Sequence, residues 1–178
     1  MKDSPVPDMY DKIEGEQTIL GKIASKIPGF SGYLEREMRR EVDKLQRDWL
    51  ADQVDRARFA INGKIREWSR TGRLENLDRA SSIEKSLDRL ANRIRHADYG
   101  SSGFFDAVKI GQAELDRIYG FDLALSETME YLALQVEQLP ETADENMLGR
   151  LLEAVEGADT KFDERATIFE DVTRTGGV

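Results

Sequence analysis

Apolar residues recur along most of this chain with a period near three and a half residues, the spacing that places side chains on one face of a helix. The pattern is interrupted at Pro28, at Pro140 and at the Gly/Ser cluster 100–103, because proline and glycine disfavour the helix interior. No segment of useful length alternates between apolar and polar residues as a half-buried strand does. The sequence therefore predicts an all-α protein.

Five helices fit between these interruptions. Pro28 is placed to end the first helix, Ser31 to cap the second, and Tyr99 with the glycine after it to end the third. Thr142 and Glu145 form a capping-box pattern that starts the fifth helix. The predicted helices cover about residues 8–27, 32–70, 77–99, 112–139 and 142–172.

The apolar stripe of the second helix changes direction part way along. It follows one face from Leu34 to Trp49 and a face displaced around the helix from Val54 to Trp68. The two ends therefore pack against different neighbours, or the helix bends near 50–52. Short links favour antiparallel neighbours, so we expect an elongated antiparallel bundle in which helices 2, 4 and 5 are long. Either helix 2 projects as an arm, or helix 1 and the ends of helices 2 and 5 build a second packing layer.

Length and composition limit the organisation of the chain. Its 178 residues predict a single helical-bundle domain over 1–178, with flexible ends at 1–7 and 174–178. Cysteine is absent, which excludes disulfides, thiol nucleophiles and cysteine-ligated metals. No stretch approaches the roughly 18 apolar residues of a membrane span, and the first residues lack the apolar run of a secretory signal. We expect a cytoplasmic protein.

Charge is distributed unevenly along the chain. Residues 35–97 contain 16 basic and 12 acidic side chains, whereas residues 98–178 contain 6 basic and 18 acidic side chains. The two halves are expected to attract each other within the folded bundle. The net charge of -9 argues against a nucleic-acid partner, which requires a strongly basic face.

Three segments resemble a family of small uncharacterised bacterial helical proteins. They are IPGFSGYLEREMRREVDKLQRDWL at 27–50, HADYGSSGFFDAVK at 96–109 and LDRIYGFDLAL at 115–125. The resemblance implies a helical fold over most of 20–139. It implies no particular activity.

Candidate chemistry centres on His96, the only histidine, which precedes the run GSSG. A lone histidine cannot supply the paired Glu-x-x-His ligands of a helical di-metal site, and GSSG lacks the G-x-S-x-G pattern of a hydrolase nucleophile. We therefore expect no catalytic residue, no metal and no cofactor. At least one of Phe104 and Phe105 is predicted to plug the end of the bundle, and Asp106 to cap a turn or pair with a basic residue.

Asp122 occupies a position in the apolar seam of the fourth helix. Because an unpaired buried carboxylate is costly, it should pair with a cation or move to the rim of the bundle. Candidate partners are His96, Lys109 or an arginine of helix 2 or 3. The candidate ligand-binding residues, expected between helices 3 and 4, are His96, Tyr99, Asp106, Lys109 and Asp122.

The favoured function is that of a non-enzymatic helical interaction or scaffold protein, self-associating as a homo-oligomer through the extended stripes of helices 2 and 5. One alternative is a bundle with a small ligand or metal site near His96 and Asp122. Another is association of helix 1 with an anionic membrane surface, because Lys12, Lys22 and Lys26 lie beside apolar residues.

Overall fold

The computed structural model describes residues 19–98 and 103–175, which contain five helices, α1 to α5, and no strand. The predicted all-α fold is confirmed. Short 3-10 turns at Arg36–Met38 and Leu74–Asn76 lead into α2 and α3. The described helices are 19–26 (α1), Arg39–Thr71 (α2), Leu77–Arg95 (α3), Gln112–Glu137 (α4) and Glu145–Thr175 (α5).

Two helix ends differ from the prediction. Helix α2 begins at Arg39 and is not capped by Ser31, because Gly32 takes a positive φ of 84° and turns Tyr33 into the interior. Helix α3 ends at Arg95, before the predicted stop at Tyr99, and the backbone N–H of His96 bonds the carbonyl of Asn92. Residues 99–102 and the predicted start of the first helix lie outside the described residues.

The ends of α5 differ as well. The carboxylate of Asp144 accepts a hydrogen bond of 2.8 Å from the backbone N–H of Met147. Asp144 therefore caps the helix, and the predicted cap Thr142 is exposed outside it. At the other end α5 includes Arg174 and Thr175, which were expected in a flexible tail.

The four long helices form a ring in which α2 and α5 each pack against both α3 and α4. The short links join antiparallel pairs, α2 with α3 and α4 with α5, as predicted. The other two neighbouring pairs are parallel. Gln46 of α2 bonds Ser126 of α4, and further along both helices Arg56 pairs with Glu137. Arg79 of α3 likewise pairs with Glu145 of α5, and further along both helices Arg93 pairs with Asp159.

Two apolar clusters fill the bundle. The main core lies among α2 to α5 and includes Leu50, Ile61, Leu87, Leu125 and Phe162. A second cluster, the end core, joins α1 and the segment after it to the beginnings of α2 and α4 and the end of α5. The predicted second packing layer is therefore present. The stripe of α2 changes direction because its first part contributes to the end core and its later part to the main core.

Aromatic side chains dominate the end core. Phe104 and Phe105 are both buried, and the Phe104 ring stacks on that of Phe169 with 4.4 Å between centroids. Tyr33 packs edge-on against Phe104 at 5.5 Å. The prediction that these consecutive phenylalanines plug the bundle end is confirmed.

The apolar side of α1 faces the bundle. Ile23 and Ile27 are buried in the end core, and Lys26 forms an ion pair with Glu130 of α4. Lys12 lies outside the described residues. None of the helices in the described ranges has the length and apolar character needed to cross a membrane.

Attraction between the basic middle and the acidic C-terminal half is also present. Arg93 of α3 pairs with Asp159 and Asp163 of α5, and Arg56 pairs with Glu137. Arg40 at the start of α2 pairs with Asp106 at 3.2 Å. Charge matching within the fold therefore accounts for part of the uneven distribution.

The cap of α5 gives a direct test of this geometry. Replacing Asp144→Ala removes the bond to the Met147 N–H and should lower the free energy of unfolding by about 1 kcal/mol. Thr142→Ala serves as the matched control and should change it by less than about 0.5 kcal/mol. Urea denaturation monitored by circular dichroism measures both values. If Thr142→Ala lowered the free energy of unfolding more than Asp144→Ala, the assignment of Asp144 as the cap would be wrong.

Candidate functional site

The most concentrated polar cluster in the described interior surrounds Arg165, whose side chain is fully buried. Its Nε donates to Asp122 Oδ1 at 2.7 Å, and its Nη1 donates to Asp43 Oδ1 at 2.6 Å. Its Nη2 donates to the hydroxyl of Tyr33 at 2.8 Å. These charge-assisted hydrogen bonds join α2, α4, α5 and the segment before α2.

The cluster lies where the main core meets the end core. Phe162 precedes Arg165 by one helical turn and belongs to the main core, while Phe169 follows by one turn and belongs to the end core. The Arg165 guanidinium lies 4.6 Å from the centroid of the Phe169 ring. The polar cluster therefore separates two apolar regions along the same helix.

A second arginine extends the cluster to α3. Arg47 Nε donates to Asp43 Oδ2 at 2.9 Å, and its Nη1 donates to the backbone carbonyl of Arg95 at 2.7 Å. That carbonyl lies in the last turn of α3, where helix carbonyls have no partner within the helix. The two arginines, Arg47 and Arg165, balance the charges of Asp43 and Asp122.

Tyr33 completes the coordination of Asp122. Its hydroxyl donates to Asp122 Oδ2 at 2.8 Å, and its backbone N–H donates to the hydroxyl of Tyr119 at 2.8 Å. Burial, followed by the negative charge of Asp122, raises the pKa of Tyr33 well above its ordinary value. The hydroxyl therefore stays protonated and continues to donate.

Arg165 keeps its charge in this environment. Burial lowers the pKa of its guanidinium, but the negative charge of Asp122 and the contributions of Tyr33 and Asp43 outweigh burial and raise the pKa well above the ordinary value. Both Arg165 and Tyr33 are thus held in one protonation state. The arrangement supports a fixed structural contact rather than proton transfer near neutral pH.

Arg39 holds the non-helical segments of the end core through hydrogen bonds to their backbone carbonyls. It is buried, its Nε donates to the carbonyl of Tyr33 at 2.8 Å, and its Nη1 donates to the carbonyl of Ala107 at 2.7 Å. A longer bond of 3.1 Å reaches the carbonyl of Phe104. The non-helical segments before α2 and before α4 are therefore attached to the first turn of α2.

The structure does not gather the described candidate ligand-binding residues into one site. Asp122 is buried, His96 and Lys109 are exposed, and Asp106 pairs with Arg40 on the surface. Tyr99 lies outside the described residues. The described part of the chain contains no group of three or more His, Cys, Asp or Glu residues arranged to hold a metal ion.

The partner of Asp122 corrects an expectation. It is Arg165 of α5, rather than His96, Lys109 or an arginine of the second or third helix. Helix α5 runs antiparallel beside α4, which places Arg165 opposite Asp122. In the sequence, the core positions of α5 alternate steps of three and four residues, and continuing that alternation from Phe162 to Phe169 selects Arg165. That alternation is the signal that would have found this residue.

Two of the surface grooves bear on function. The first lies between α3 and α5, encloses about 690 Å³, and is lined by His96, Arg89, Phe162 and Asp163 among others. It lies on the surface, whereas Asp122 is enclosed between α4 and α5. His96 and Asp122 therefore do not form a shared site.

The second groove lies between α2 and α4 and encloses about 830 Å³. We name it the Phe59 groove. Phe59 is 75% exposed on its rim, and Ala60 and Gly63 are partly exposed, whereas Val136, which also borders the groove, is buried. The apolar pattern of the sequence does not point to Phe59, because this residue lies between the stripe positions Ala57 and Ile61. The sequence feature that distinguishes Phe59 is that it is an aromatic residue on the otherwise polar face of a regular helix.

Removing the guanidinium of Arg165 should strongly destabilise the fold. Arg165→Met leaves two buried carboxylates and a hydroxyl without their shared donor, and should lower the free energy of unfolding by about 3–5 kcal/mol. Arg93→Met is the matched control, because Arg93 also contacts two aspartates but lies at the surface; it should lose less than about 1 kcal/mol. Urea denaturation measures both. Equal losses would contradict a structural role for the buried cluster.

The raised pKa of Tyr33 predicts that the stability of the protein falls at alkaline pH. Its pKa is raised on folding, so the unfolded chain loses the phenolic proton first and stability falls as pH rises above the ordinary tyrosine pKa of about 10. Tyr33→Phe removes this contribution. The difference in unfolding free energy between wild type and Tyr33→Phe should be constant from pH 7 to about 9 and shrink above about 10. Urea titrations at each pH test this, and a difference that grows with pH would contradict it.

No family model, no curated protein and no solved structure matches this chain. The functional proposal below therefore depends on the residues and the geometry described above.

Proposed function

We propose that this protein is a non-enzymatic helical interaction protein that docks a protein partner in the Phe59 groove. The observation that carries the proposal is Phe59 itself, a large apolar side chain 75% exposed beside an apolar groove. An exposed aromatic residue bordering a groove is typical of a protein contact surface, since its burial by a partner is favourable. Phenylalanine is among the residues enriched at protein interfaces relative to the rest of the surface.

The proposal moves the contact surface away from the stripes of helices 2 and 5. Val54 and Ile61 of α2 and Phe162 and Val172 of α5 are buried in this chain's own cores. A partner could reach those stripes only if the bundle opened. The outer side of α2 needs no such opening.

The outline of the groove supports a helical or similarly elongated occupant. Its lining residues extend along α2 from Asp52 to Glu67, and Val136 and Glu137 of α4 form the other wall. Arg56 and Glu137 connect the walls through two hydrogen bonds of 3.0 and 2.8 Å. Because α2 and α4 pack against each other in the bundle, both walls are in place before a partner binds, which reduces the ordering cost of association.

The two alternative functions receive less support. A ligand site uniting His96 with Asp122 would need the carboxylate that already accepts hydrogen bonds from Arg165 and Tyr33. Docking of α1 on a membrane surface would expose Ile23 and Ile27, which are buried in the end core. Both alternatives require existing contacts to break.

Site-specific photocrosslinking tests the proposal. Benzoylphenylalanine placed at Phe59 in the full chain should form a covalent adduct with a protein in native cell extract, because the ring would lie within the docked surface. The same group at Val108, which is 77% exposed and lies away from the groove, is the matched control. We expect adducts from position 59 and few from position 108. Equal yields at both positions, or none at 59, would overturn the proposal.

A further inference from the structure

The solvent face of α2 carries an ordered pattern of charge around Phe59. Asp52 lies seven residues before Phe59 and Arg66 seven residues after it; Asp48 lies eleven before and Arg70 eleven after. Separations of seven and eleven residues return to nearly the same face of a helix. Asp52, Arg66 and Arg70 are exposed like Phe59, and Asp48 is partly exposed. Along this line the two acids precede Phe59 and the two arginines follow it, while Arg56 and Glu67, of the opposite charges, line the adjoining groove.

We propose that the occupant of the Phe59 groove is a second copy of this chain, packed with its α2 antiparallel to the first across a twofold axis at Phe59. This inference rests on the proposed function and names its partner. In a twofold contact the same surface of both copies meets, and the two α2 helices run in opposite directions. Asp52 then lies opposite Arg66 of the second copy and Asp48 opposite Arg70 of the second copy. Each attraction occurs twice.

Gly63 fits the same arrangement. Glycine in a helix interior costs roughly 1 kcal/mol relative to alanine, and packing within this chain does not require it. A Cβ built at Gly63 would approach only Arg66 Nη2, at 4.0 Å. Helical side chains lean toward the N-terminus of their own helix, so in an antiparallel pair the Phe59 ring leans over Gly63 of the other copy. The missing side chain leaves room for that ring.

Existing surface pairs do not oppose this contact. Asp52 lies 3.1 Å from Arg95, Arg70 2.7 Å from Glu67 and Asp48 2.6 Å from Lys44, all at exposed or partly exposed positions. Exposed ion pairs contribute little stability. The same charges can therefore turn toward, or be shared with, the second copy. A uniformly basic partner helix is also disfavoured, because it would face Arg66 and Arg70.

Charge reversal tests the antiparallel contact on the full chain. Sedimentation equilibrium should show a wild-type dimer. Asp52→Arg and Arg66→Asp should each weaken dimerisation by about tenfold or more, because like charges then face each other twice. The double variant Asp52→Arg/Arg66→Asp exchanges the charges and should return dimerisation to within about threefold of wild type. Lys85→Asp, an exposed reversal on α3, is the control and should leave it unchanged.

Gly63→Leu separates docking from folding. Leucine favours the helix over glycine and its Cβ meets only the end of a flexible arginine, so thermal stability of the monomer should be kept or raised. The side chain fills the space for the Phe59 ring of the second copy, and dimerisation should fall by about tenfold or more. Unchanged dimerisation in Gly63→Leu would overturn the antiparallel register.

The outcomes distinguish this inference from the proposed function. A wild-type chain that remains monomeric at about 100 µM overturns the self-pairing. A Phe59 adduct to a different protein would in that case still support the groove as a docking surface. If neither Asp52→Arg nor Arg66→Asp weakens dimerisation, the inference is also overturned. A dimer lost in each single reversal and restored in the double variant supports it.

Discussion

The buried guanidinium of Arg165 is the contact on which the arrangement of the helices depends. Removing a guanidinium from water is costly, and the cost is offset only while Asp43, Asp122 and Tyr33 all remain in place. Those three groups belong to α2, to α4 and to the segment before α2. Because Asp43 also binds Arg47, which reaches the last turn of α3, every long helix is linked to this point. Displacing α2, α4 or α5 leaves a buried charge without a partner.

The position of this contact explains why one chain can build two apolar clusters that stay aligned. Apolar side chains tolerate small shifts against each other, since burial has no preferred direction. Hydrogen bonds to a planar guanidinium do have preferred directions. Placed between the main core and the end core, Arg165 fixes the register of α2, α4 and α5 where their neighbours change. Arg39 then attaches the two non-helical segments of the end core to α2.

Much of the helical architecture follows from local patterns, and the parts that do not follow depend on distant residues. The spacing of apolar residues, with the interruptions by proline and glycine, was sufficient for the five helices, but it left the second packing layer as one of two possible arrangements. The start of α2 was missed because Tyr33 is drawn inward by Tyr119 and Asp122, which lie 86 and 89 residues away. Arg165 was missed because a charged residue ordinarily indicates the solvent face, and only the alternation of core positions places it inside. Phe59 was missed because an exposed phenylalanine is recognised only once the buried face of α2 is known.

Helix α2 connects the buried contact to the proposed docking surface. Its inner face carries Asp43 and Arg47, and its outer face carries Phe59 and the ordered charges around it. A helix about 50 Å long would bend or shift if it were held at one end alone, but α2 packs against both α3 and α4. Its outer face is therefore rigid before any partner arrives, and binding there loses little conformational freedom. The buried charges are fully engaged in holding the fold, whereas the exposed charges of α2 form weak pairs that can be exchanged. That difference is why the outer face of α2, rather than the polar cluster within the bundle, is suited to recognise another molecule.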